Sequence, residues 1–569
     1  MNHIHAGSIR NLLMSLIILT VASCGGGGGS GSTGIAPPGP GNTSPPAADT
    51  PPDASTDHAF LTDHFSGSDN CSICHDGLQD SAGSAVSIVA DWQAGMMANS
   101  SRDPLWRAKM ASEVRRNPTI AEEIESTCAR CHTPMGHVEA EFATADTSLL
   151  EDGLLHPDNP LFDAAAEGVS CTLCHQISDA SELGSEDGFS GGFDIPFAFG
   201  IDRVLFGQYE NPLTMPMVNQ VAFTPAMSPH ISESEMCATC HNLATPVLDP
   251  EGNVTTRTFP EQMVYTEWEN SDFADAQSCQ DCHLPAATGD VRISTRPMGG
   301  LRARPDFSRH TFVGGNTFML DMLAANAQQL NITATGFDRL LNETRAFLGG
   351  AVSLALEDVQ RVGDSMQFSV RLSNYSGHKF PTGFPSRRAW LHVAIIDAQG
   401  ASVFESGAVH SDGSIVGLDS DTNLALYEPH YELIESSDQV QSYETIMEDV
   451  DQNLTYTLLA AADFRKDNRL LPAGMDKTSV PSSVRPRGNA LADPDFTGGS
   501  DVVRYQVAGL TAGNYTIEVR LNFQSVGYSF IADLIANDDD PRVTLFKDLN
   551  ENARMRFETI SSASANIAF

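Results

Sequence analysis

Five copies of the pentapeptide Cys-x-x-Cys-His lie in the first half of the chain, and no other feature of the sequence constrains the fold as strongly. In chain order, and called here motifs one to five, they are Cys71–His75, Cys128–His132, Cys171–His175, Cys237–His241 and Cys279–His283. This spacing is the attachment signal for c-type haem. The two thiols of a motif bond to the vinyl groups of one haem, and the adjacent imidazole becomes the proximal ligand of its iron. The sequence therefore predicts five covalently bound haem c groups.

The cysteine count supports this interpretation. The chain has 11 cysteines; ten lie in the motifs and the last is Cys24, so no pair is left over for a disulfide framework. Zinc ribbons also repeat Cys-x-x-Cys, but they do not require a histidine directly after the second cysteine. The predicted attachment sites are Cys71, Cys74, Cys128, Cys131, Cys171, Cys174, Cys237, Cys240, Cys279 and Cys282, and the predicted proximal ligands are His75, His132, His175, His241 and His283.

The N-terminus has the pattern of an export signal. The apolar run 12–20 is too short to span a bilayer and is followed by Val-Ala-Ser-Cys24, which resembles the lipoprotein box in which the cysteine receives a lipid after cleavage. Gly25 follows, and in lipoproteins the lack of Asp at this position implies sorting to the outer membrane. We therefore expect a signal peptide at 1–23, lipidation of Cys24, and a flexible linker rich in Gly, Ser and Pro at 24–57. The folded part would then lie on the periplasmic or cell-surface side.

The chain is strongly acidic, with 73 Asp and Glu against 33 Lys and Arg and a formal net charge of −40. Nucleic acid is therefore an unfavourable partner. Small anionic substrates would be repelled unless a local positive funnel exists, whereas basic redox proteins or oxidised metal ions would be attracted. The charge also keeps an exported protein soluble.

The motif-bearing region, residues 58–315, is predicted to be a pentahaem cytochrome domain of mainly α-helical and irregular structure. Each porphyrin supplies a large apolar face, so short helices and loops are expected to pack on cofactors instead of on each other. Residues 316–350 contain two stretches with helical spacing, 318–330 and 337–348, and are predicted to form a helical connector.

The last region, residues 351–569, contains no cysteine. Stretches such as 366–372, 390–396 and 515–523 alternate apolar and polar residues and are separated by Gly and Asp turns. A period of two predicts antiparallel strands, so we expect an all-β, sandwich-like domain after the haem domain.

Each iron also needs a ligand on its distal side, and four histidines are predicted for this role. His64 and His230 each precede a motif cysteine by seven residues, in short polar segments that end in a motif. His310 follows motif five in a Gly-rich loop, which can bring backbone close to a porphyrin. His378 lies in the loop Gly-His-Lys-Phe-Pro-Thr-Gly before a predicted strand, and its ligation would hold the β domain to the haem domain through iron. His156 and His430 are reserve candidates, His137 is expected to cap motif two, and His392 is expected on a β face.

The segment Trp92-Gln-Ala-Gly-Met-Met-Ala resembles the Trp-x-x-Ser-x-His-Ala stretch of multihaem cytochromes related to the tetrahaem electron acceptor of hydroxylamine oxidation. In that pattern the histidine binds iron, and Met97 stands in its place here. Thioether sulfur also binds haem iron and raises its potential relative to imidazole, so the resemblance implies one His/Met haem with Met97 as a ligand. Alternatively, Met96 and Met97 only pack against a porphyrin. A second copy, starting at Trp268, has Phe273 at this position; phenylalanine cannot bind iron, so this copy is expected to be structural.

Further stretches resemble a group of exported bacterial multihaem cytochromes with a C-terminal β domain, over most of the chain from about residue 60. They include Cys131-His-Thr-Pro-Met-Gly, Gly168-Val-Ser-Cys, Tyr265-Thr-Glu-Trp, Gly377-His-Lys-Phe-Pro-Thr-Gly-Phe-Pro-Ser-Arg-Arg and Lys466-Asp-Asn-Arg-Leu-Leu-Pro. The resemblance implies this architecture and does not imply a substrate.

These features are compatible with more than one function. Electron transfer at the outer membrane or in the periplasm needs closely spaced six-coordinate haems, with redox proteins or an extracellular acceptor as partners. A multihaem reductase or oxidoreductase of small nitrogen or sulfur compounds needs one five-coordinate haem with acid–base residues beside it. Pentahaem nitrite reductases usually have a Cys-x-x-Cys-Lys site, and this chain has none. A subunit of a cytochrome filament is a third possibility. We expect electron transfer, and no catalytic residue is predicted.

Overall fold

The computed structural model of the chain describes residues 56–179, 182–333, 335–536 and 538–568. The expected signal peptide, the lipidation site Cys24 and nearly all of the predicted linker lie outside the described residues. The described residues belong to one unit by their mutual contacts, so the domain boundaries given above stay predictions. Within the described ranges, no helix has both the length and the apolar character needed to cross a membrane.

The motif-bearing region consists of short helices joined by loops, as the sequence predicts. The helices are α1 (Ser68–His75), α2 (Ile88–Gln93), α3 (Pro104–Arg116), α4 (Ala121–His132), α5 (Pro134–Phe142), α6 (Phe162–Ala166), α7 (Cys171–Cys174), α8 (Thr214–Val221), α9 (Glu235–His241), α10 (Val264–Glu269) and α11 (Cys279–His283). Helices this short are not stable in isolation and depend on tertiary packing.

Two pairs of strands in this region were not anticipated from the sequence. β1 (Val204–Gly207) runs parallel to β2 (Thr224–Met227), and β3 (Asn242–Leu248) forms an antiparallel pair with β4 (Val254–Met263). Three of these strands contain proline, at positions 225, 246 and 260. Because proline removes a hydrogen-bond donor, it argues against a strand unless the strand lies at a sheet edge, and two-stranded sheets have only edges.

Two helices follow the motif region. They are α12 (Thr317–Ala325) and α13 (Phe337–Gly349), so both predicted helices are present, and their role as a connector stays a prediction. The first ends five residues earlier than the spacing suggested, because the backbone leaves the helical conformation at Asn326.

The last region forms two sheets. Its strands are β5 (Val352–Val362), β6 (Ser365–Asn374), β7 (Arg388–Asp397), β8 (Ser402–Ser406), β9 (Leu433–Ile434), β10 (Ser442–Glu448), β11 (Leu454–Thr455), β12 (Asp463–Asp467), β13 (Ser500–Ala508), β14 (Asn514–Gln524) and β15 (Glu558–Ala568). Short helices α14 (Asp419–Thr422), α15 (Tyr528–Ile535) and α16 (Pro541–Glu551) lie between them. One sheet has the order β11-β10-β7-β14-β15, with β12 on β10 and β8 on β7, and the other has the order β5-β6-β13-β9.

A shared apolar core joins the two sheets. Alternate residues of β6 are buried in one cluster with alternate residues of β7 and β14; they are Met366, Phe368, Val370, Leu372, Leu391, Val393, Ile395, Ile517, Val519 and Leu521. The rings of Phe368 and Tyr505 stack with centres 4.9 Å apart. This packing of one inner face on another is that of a sandwich, and it confirms the strands predicted at 366–372, 390–396 and 515–523.

A buried network of charged side chains fixes the loop that carries His378. Lys379 Nζ lies 2.6 Å from Asp467 Oδ2, and Arg469 Nη2 donates to the same carboxylate at 2.8 Å. Arg469 Nη1 also pairs with Glu267 of α10 at 2.9 Å, and Glu267 accepts from the Lys379 backbone N–H at 3.2 Å. All four side chains are buried, so their charges are compensated only by one another. The network joins α10, between motifs four and five, to the sandwich.

We expect Asp467→Asn to lower the free energy of unfolding of the haem-loaded protein by about 3 kcal/mol, because it leaves two buried cations beside one carboxylate. Burial alone would raise the pKa of Asp467, but Arg469 and Lys379 hold it well below the ordinary value of 3.8. The stability difference between wild type and variant is therefore present above pH 3.8 and shrinks as the pH falls below it. Urea denaturation followed by circular dichroism, repeated at several pH values, measures this difference.

The matched control is Glu518→Gln, which removes an exposed pair with Arg520. We expect this change to cost less than about 1 kcal/mol. An Asp467→Asn protein as stable as the control would contradict the structural role of the network.

Candidate haem-binding sites

Each motif forms the last turn of a helix. Helices α1, α4, α9 and α11 end at the motif histidine, and α7 ends one residue before it. Residues i, i+3 and i+4 of a helix lie on one face. The two sulfurs and the imidazole of each motif therefore lie on the same side of the helix, which a haem held by two thioethers and one axial nitrogen requires.

Four of the five motif histidines are anchored through Nδ1 to a main-chain carbonyl oxygen. The Nδ1–O distances are 2.7 Å for His75 and Ile293, 3.1 Å for His132 and Ser100, 2.6 Å for His175 and Phe206, and 2.5 Å for His283 and Val313. A carbonyl only accepts, so Nδ1 carries the proton and Nε2 keeps its lone pair. This is the tautomer that an Nε2-bound metal needs. His241 has no such partner among the described residues.

Desolvation by the surrounding protein keeps these imidazoles neutral; four of the rings are half-buried and His241 keeps an exposed surface. This desolvation lowers the pKa of His132 and of His241 to about 4. It also lowers the pKa of His75, His175 and His283 from the ordinary value of 6.5. All five rings are therefore neutral at pH 7, and only a neutral imidazole can donate a lone pair to a metal.

The motif cysteines are half-buried. Burial raises the pKa of Cys174 to about 12, and it raises the pKa of Cys128 as well. All ten motif cysteines are nevertheless partly exposed and form no disulfide. Half-buried sulfurs on the same helix face as an imidazole suit the covalent attachment of a large apolar group, so the residues present fit haem c.

Two of the predicted distal histidines face a motif histidine. The ring centres of His175 and His310 are 6.4 Å apart with planes inclined by 25°, and those of His283 and His378 are 6.3 Å apart with planes inclined by 16°. Two metal–nitrogen bonds of about 2 Å, with about 1 Å from each ring centre to its nitrogen, separate the rings of a bis-imidazole site by about 6 Å. Both pairs have this separation.

The distal members of these pairs resemble the motif histidines in their Nδ1 hydrogen bonds and in their lowered pKa values. Nδ1 of His310 lies 3.0 Å from the carbonyl oxygen of Ser308, and Nδ1 of His378 lies 2.9 Å from that of Lys379. Burial is the largest cause that lowers the pKa of His310 and of His378 to about 4. Each pair thus consists of two neutral rings whose Nε2 atoms are available.

His64 is oriented by a carboxylate. Its Nδ1 lies 2.9 Å from Oε2 of Glu139, and its buried Nε2 has no hydrogen-bond partner among the described residues. A carboxylate on one ring nitrogen is typical of metal-ligating histidines, whose other nitrogen binds the metal. The ring lies among Phe142, Phe197 and Phe199, with centres 4.4 to 5.2 Å away. The orphaned nitrogen fits the predicted role of His64, and Glu139 is a partner that the sequence analysis missed.

His230 is placed differently. Its Nδ1 lies 2.7 Å from the hydroxyl of Ser228, and its Nε2 lies 2.9 Å from the carbonyl oxygen of Ile177. Because the carbonyl only accepts, Nε2 carries the proton in this arrangement and Nδ1 accepts from the hydroxyl. Ligation by His230 stays a prediction, and it would require the ring to turn away from Ile177.

Met97 lies beside the segment that leads into motif three. Its carbonyl accepts from the Val169 N–H at 3.0 Å, and Trp92 Nε1 donates to the Val169 carbonyl at 2.8 Å. The Met97 side chain is half-buried. Its ligation to iron also stays a prediction.

The second tryptophan segment supports the His378 loop. A Cβ added at Gly377 would lie 3.2 Å from Cβ of Phe273 and 3.3 Å from the ring of Trp268. Glycine at this position therefore lets the loop approach the segment closely. This contact accords with the structural role predicted for Phe273.

Trp106 is a contact of motif two that the sequence analysis missed. Its ring is parallel to that of His132 within 5°, with centres 4.3 Å apart. Asp103 caps α3 by accepting from the N–H groups of Leu105 and Trp106 at 2.8 and 3.2 Å, which fixes Trp106 in the first turn. No spacing rule links residues on two different helices, so the sequence carried no signal for this contact.

Two other histidines considered above are engaged in the sandwich. The reserve candidate His430 has Nε2 3.0 Å from Asp493 and accepts at Nδ1 from Gln441 at 2.9 Å. His392 lies on β7 with Nε2 2.9 Å from Glu405, as expected for a residue on a β face.

The chain matches no protein-family model and no curated protein. Among solved structures it is similar to a penta-haem cytochrome c552 from Thermochromatium tepidum, at 15% sequence identity, over 89% of this chain and 99% of that chain, with a TM-score of 0.47. Because identity and structural overlap are both low, the roles proposed below rest on the residues of this chain alone.

We expect His378→Ala to leave all five haems attached but to convert one haem from low spin to high spin, because the iron bound by His283 would lose its second imidazole. Electron paramagnetic resonance of the oxidised protein measures the spin state, and mass spectrometry counts the haems. His392→Ala, on the neighbouring strand, is the matched control and should leave the spectrum unchanged. A fully low-spin His378→Ala protein would show that this ring is not a ligand.

Proposed function

We propose that this chain is a multihaem c-type cytochrome that carries electrons between redox partners, with one haem c attached at each of motifs one to five. The main support for this proposal is that two pairs of neutral, Nδ1-anchored imidazoles face each other. The pairs are His175 with His310 and His283 with His378. An iron bound by two imidazoles has no free coordination position. Such a centre exchanges electrons without binding a substrate.

Haem, when bound, supplies the reversible change between ferric and ferrous iron. The residues of this chain hold and tune it. The carbonyls of Ile293, Phe206 and Val313 fix the rotation of three motif imidazoles and make them better donors. The short helices around them leave these rings only partly exposed, which limits the access of water and sets the local dielectric.

The proposed partners follow from charge. A net charge of −40 favours basic redox proteins or oxidised metal ions and disfavours nucleic acid. Association with a basic partner should slow as the salt concentration rises, because exposed charges are screened.

A reductase of small nitrogen or sulfur compounds is the second candidate, and one observation favours it. His241 is the motif histidine without an Nδ1 anchor, and after burial and His283 the third cause that lowers its pKa is the guanidinium of Arg387. A half-buried guanidinium beside an iron site is suited to binding an oxyanion. This function would require the iron of motif four to be five-coordinate.

We expect the intact denatured protein to exceed its polypeptide and lipid mass by five haems, and a Cys171→Ala/Cys174→Ala variant to lose one. A protein without added haem mass would refute both functions. Electron paramagnetic resonance of the same preparation separates them: only low-spin signals support electron transfer, and a stoichiometric high-spin ferric signal supports the reductase.

We also propose that Cys24 anchors the chain in the outer membrane through a lipid, with the folded part on the periplasmic or cell-surface side. The sequence Val-Ala-Ser-Cys supports this proposal. We expect Cys24→Ser to move the protein from the membrane fraction to the soluble fraction while its haem content stays at five. Equal amounts of wild type and variant in the membrane fraction would contradict the anchor.

A further inference from the structure

We propose that Glu139 is a positioning residue that lowers the midpoint potential of one haem, the haem whose iron binds His64. This inference rests on the proposed function and on the ligation predicted for His64. It adds a physical reason for the haems to differ in potential, although the same residue type is predicted on the proximal side of every iron.

Glu139 holds His64 through two contacts. Its Oε1 accepts from the His64 backbone N–H at 2.9 Å, and its Oε2 lies 2.9 Å from Nδ1 of the ring. Both side chains are buried, with 3% of His64 and 7% of Glu139 exposed. A carboxylate in this position accepts the Nδ1 proton and leaves the lone pair on Nε2, the buried nitrogen that has no partner among the described residues.

The backbone at His64 is fixed from motif three. Gln176 Nε2 donates to the His64 carbonyl at 3.0 Å, and Thr172 Oγ1 accepts from the Ser66 N–H at 3.2 Å. The carboxylate comes from α5, which begins just after motif two ends. The ring is therefore held between two separate parts of the chain, and a displacement of either would leave buried polar groups unsatisfied.

A cation beside the pair favours the ionised form of the carboxyl. Arg203 is buried, and its Nη1 donates to the carbonyl of Asp63, the residue before His64, at 3.3 Å. Burial lowers the pKa of Arg203, and Glu139 is the largest cause that raises it. The guanidinium thus compensates part of the negative charge that Glu139 brings into the interior.

The carboxylate distinguishes His64 from the other predicted ligands. Among the predicted proximal ligands and the four predicted distal histidines, as the described ranges show them, His64 alone has a carboxylate within hydrogen-bond distance of Nδ1. His230 has a hydroxyl there. Six have a main-chain carbonyl, namely His75, His132, His175, His283, His310 and His378. A hydrogen bond to a charged acceptor is roughly twice as strong as one to a neutral acceptor.

This stronger hydrogen bond changes the ring as a donor. A carboxylate on the Nδ1 proton raises the basicity of Nε2, and a more basic ligand stabilises ferric iron more than ferrous iron. The negative charge of Glu139 acts in the same direction, because the ferric site carries one more positive charge. Reduction adds one electron, which a redox partner supplies, and no bond is made or broken. The site at His64 therefore gives up its electron more readily than it would without Glu139.

The test replaces the carboxylate by an amide of nearly the same shape. We expect Glu139→Gln to weaken the preference of this iron for the ferric state by about tenfold, which raises its midpoint potential by about 59 mV. Potentiometric titration followed by electron paramagnetic resonance measures the midpoints. His64→Ala identifies the haem concerned, because that haem loses a ligand and becomes high spin.

The matched control is Glu141→Gln, on the same helix. It removes an exposed carboxylate whose Oε2 lies 3.6 Å from Nδ1 of His137, which is not a predicted ligand. Because water and salt screen this exposed charge, the midpoints of the control should stay those of the wild type. A structural effect of neutralising a carboxylate on α5 would move both variants alike.

An unchanged midpoint in a Glu139→Gln protein that stays low spin would overturn the inference. If the amide variant loses this low-spin signal, the wild-type protein decides. The haem identified by His64→Ala should then have a lower midpoint than those identified by His310→Ala and His378→Ala, and an equal or higher one would refute the role of Glu139.

A fully low-spin His64→Ala protein would also overturn the inference, because His64 would not be a ligand. Mass spectrometry of the same samples keeps the two proposals apart. Five attached haems with no effect of Glu139 refute only this inference, and a chain without haem refutes the proposed function.

Discussion

The fixed orientation of four motif imidazoles is the constraint on which the rest of this structure depends. A motif supplies two sulfurs and a ring on one helix face, but the ring can still turn about its side-chain bonds. The carbonyls that stop this rotation come from distant parts of the chain: Ile293 anchors His75 across 218 positions, and Val313 anchors His283 across 30. The short helices therefore place the predicted ligands on one face, and the long loops supply the carbonyls that fix the orientation of the rings.

The sandwich also orients one of the proposed ligands, His378. His378 projects from the loop before β7, and the loop is held by Lys379, whose ammonium group is buried against Asp467. Arg469 connects the same carboxylate to Glu267 on α10, so a charge network on the sandwich extends into the motif-bearing region. Buried ion networks contribute little net stability, but they define one geometry because any displacement leaves a charge uncompensated. A residue proposed to bind iron, such as His378, needs a fixed geometry of this kind.

Sequence patterns predicted the helices and strands better than the tertiary contacts between them. The period-two stretches and the two connector helices are present where expected, because alternation and helical spacing are local properties. The five motifs, His310 and His378 stand out in the sequence for the same reason, since each is marked by neighbouring residues, and their roles at haem stay predictions. The pairing of His310 with His175, and of His378 with His283, could not be predicted, because it depends on how the loops fold back. Glu139 beside His64 and Trp106 on His132 were missed for that reason, and the proline-containing strands β2, β3 and β4 were missed because proline usually excludes strands.

Half of the proposed ligand set of one iron is encoded before α12 and half after it, since His283 ends α11 and His378 belongs to the sandwich. Under this proposed coordination, the two regions would not be interchangeable modules. A recombination event that exchanged the sandwich for another β domain would also have to replace an axial ligand in the correct place, and a chain cut between the regions would carry a chemically altered cofactor. The proposed shared coordination would therefore require the two regions to be inherited together.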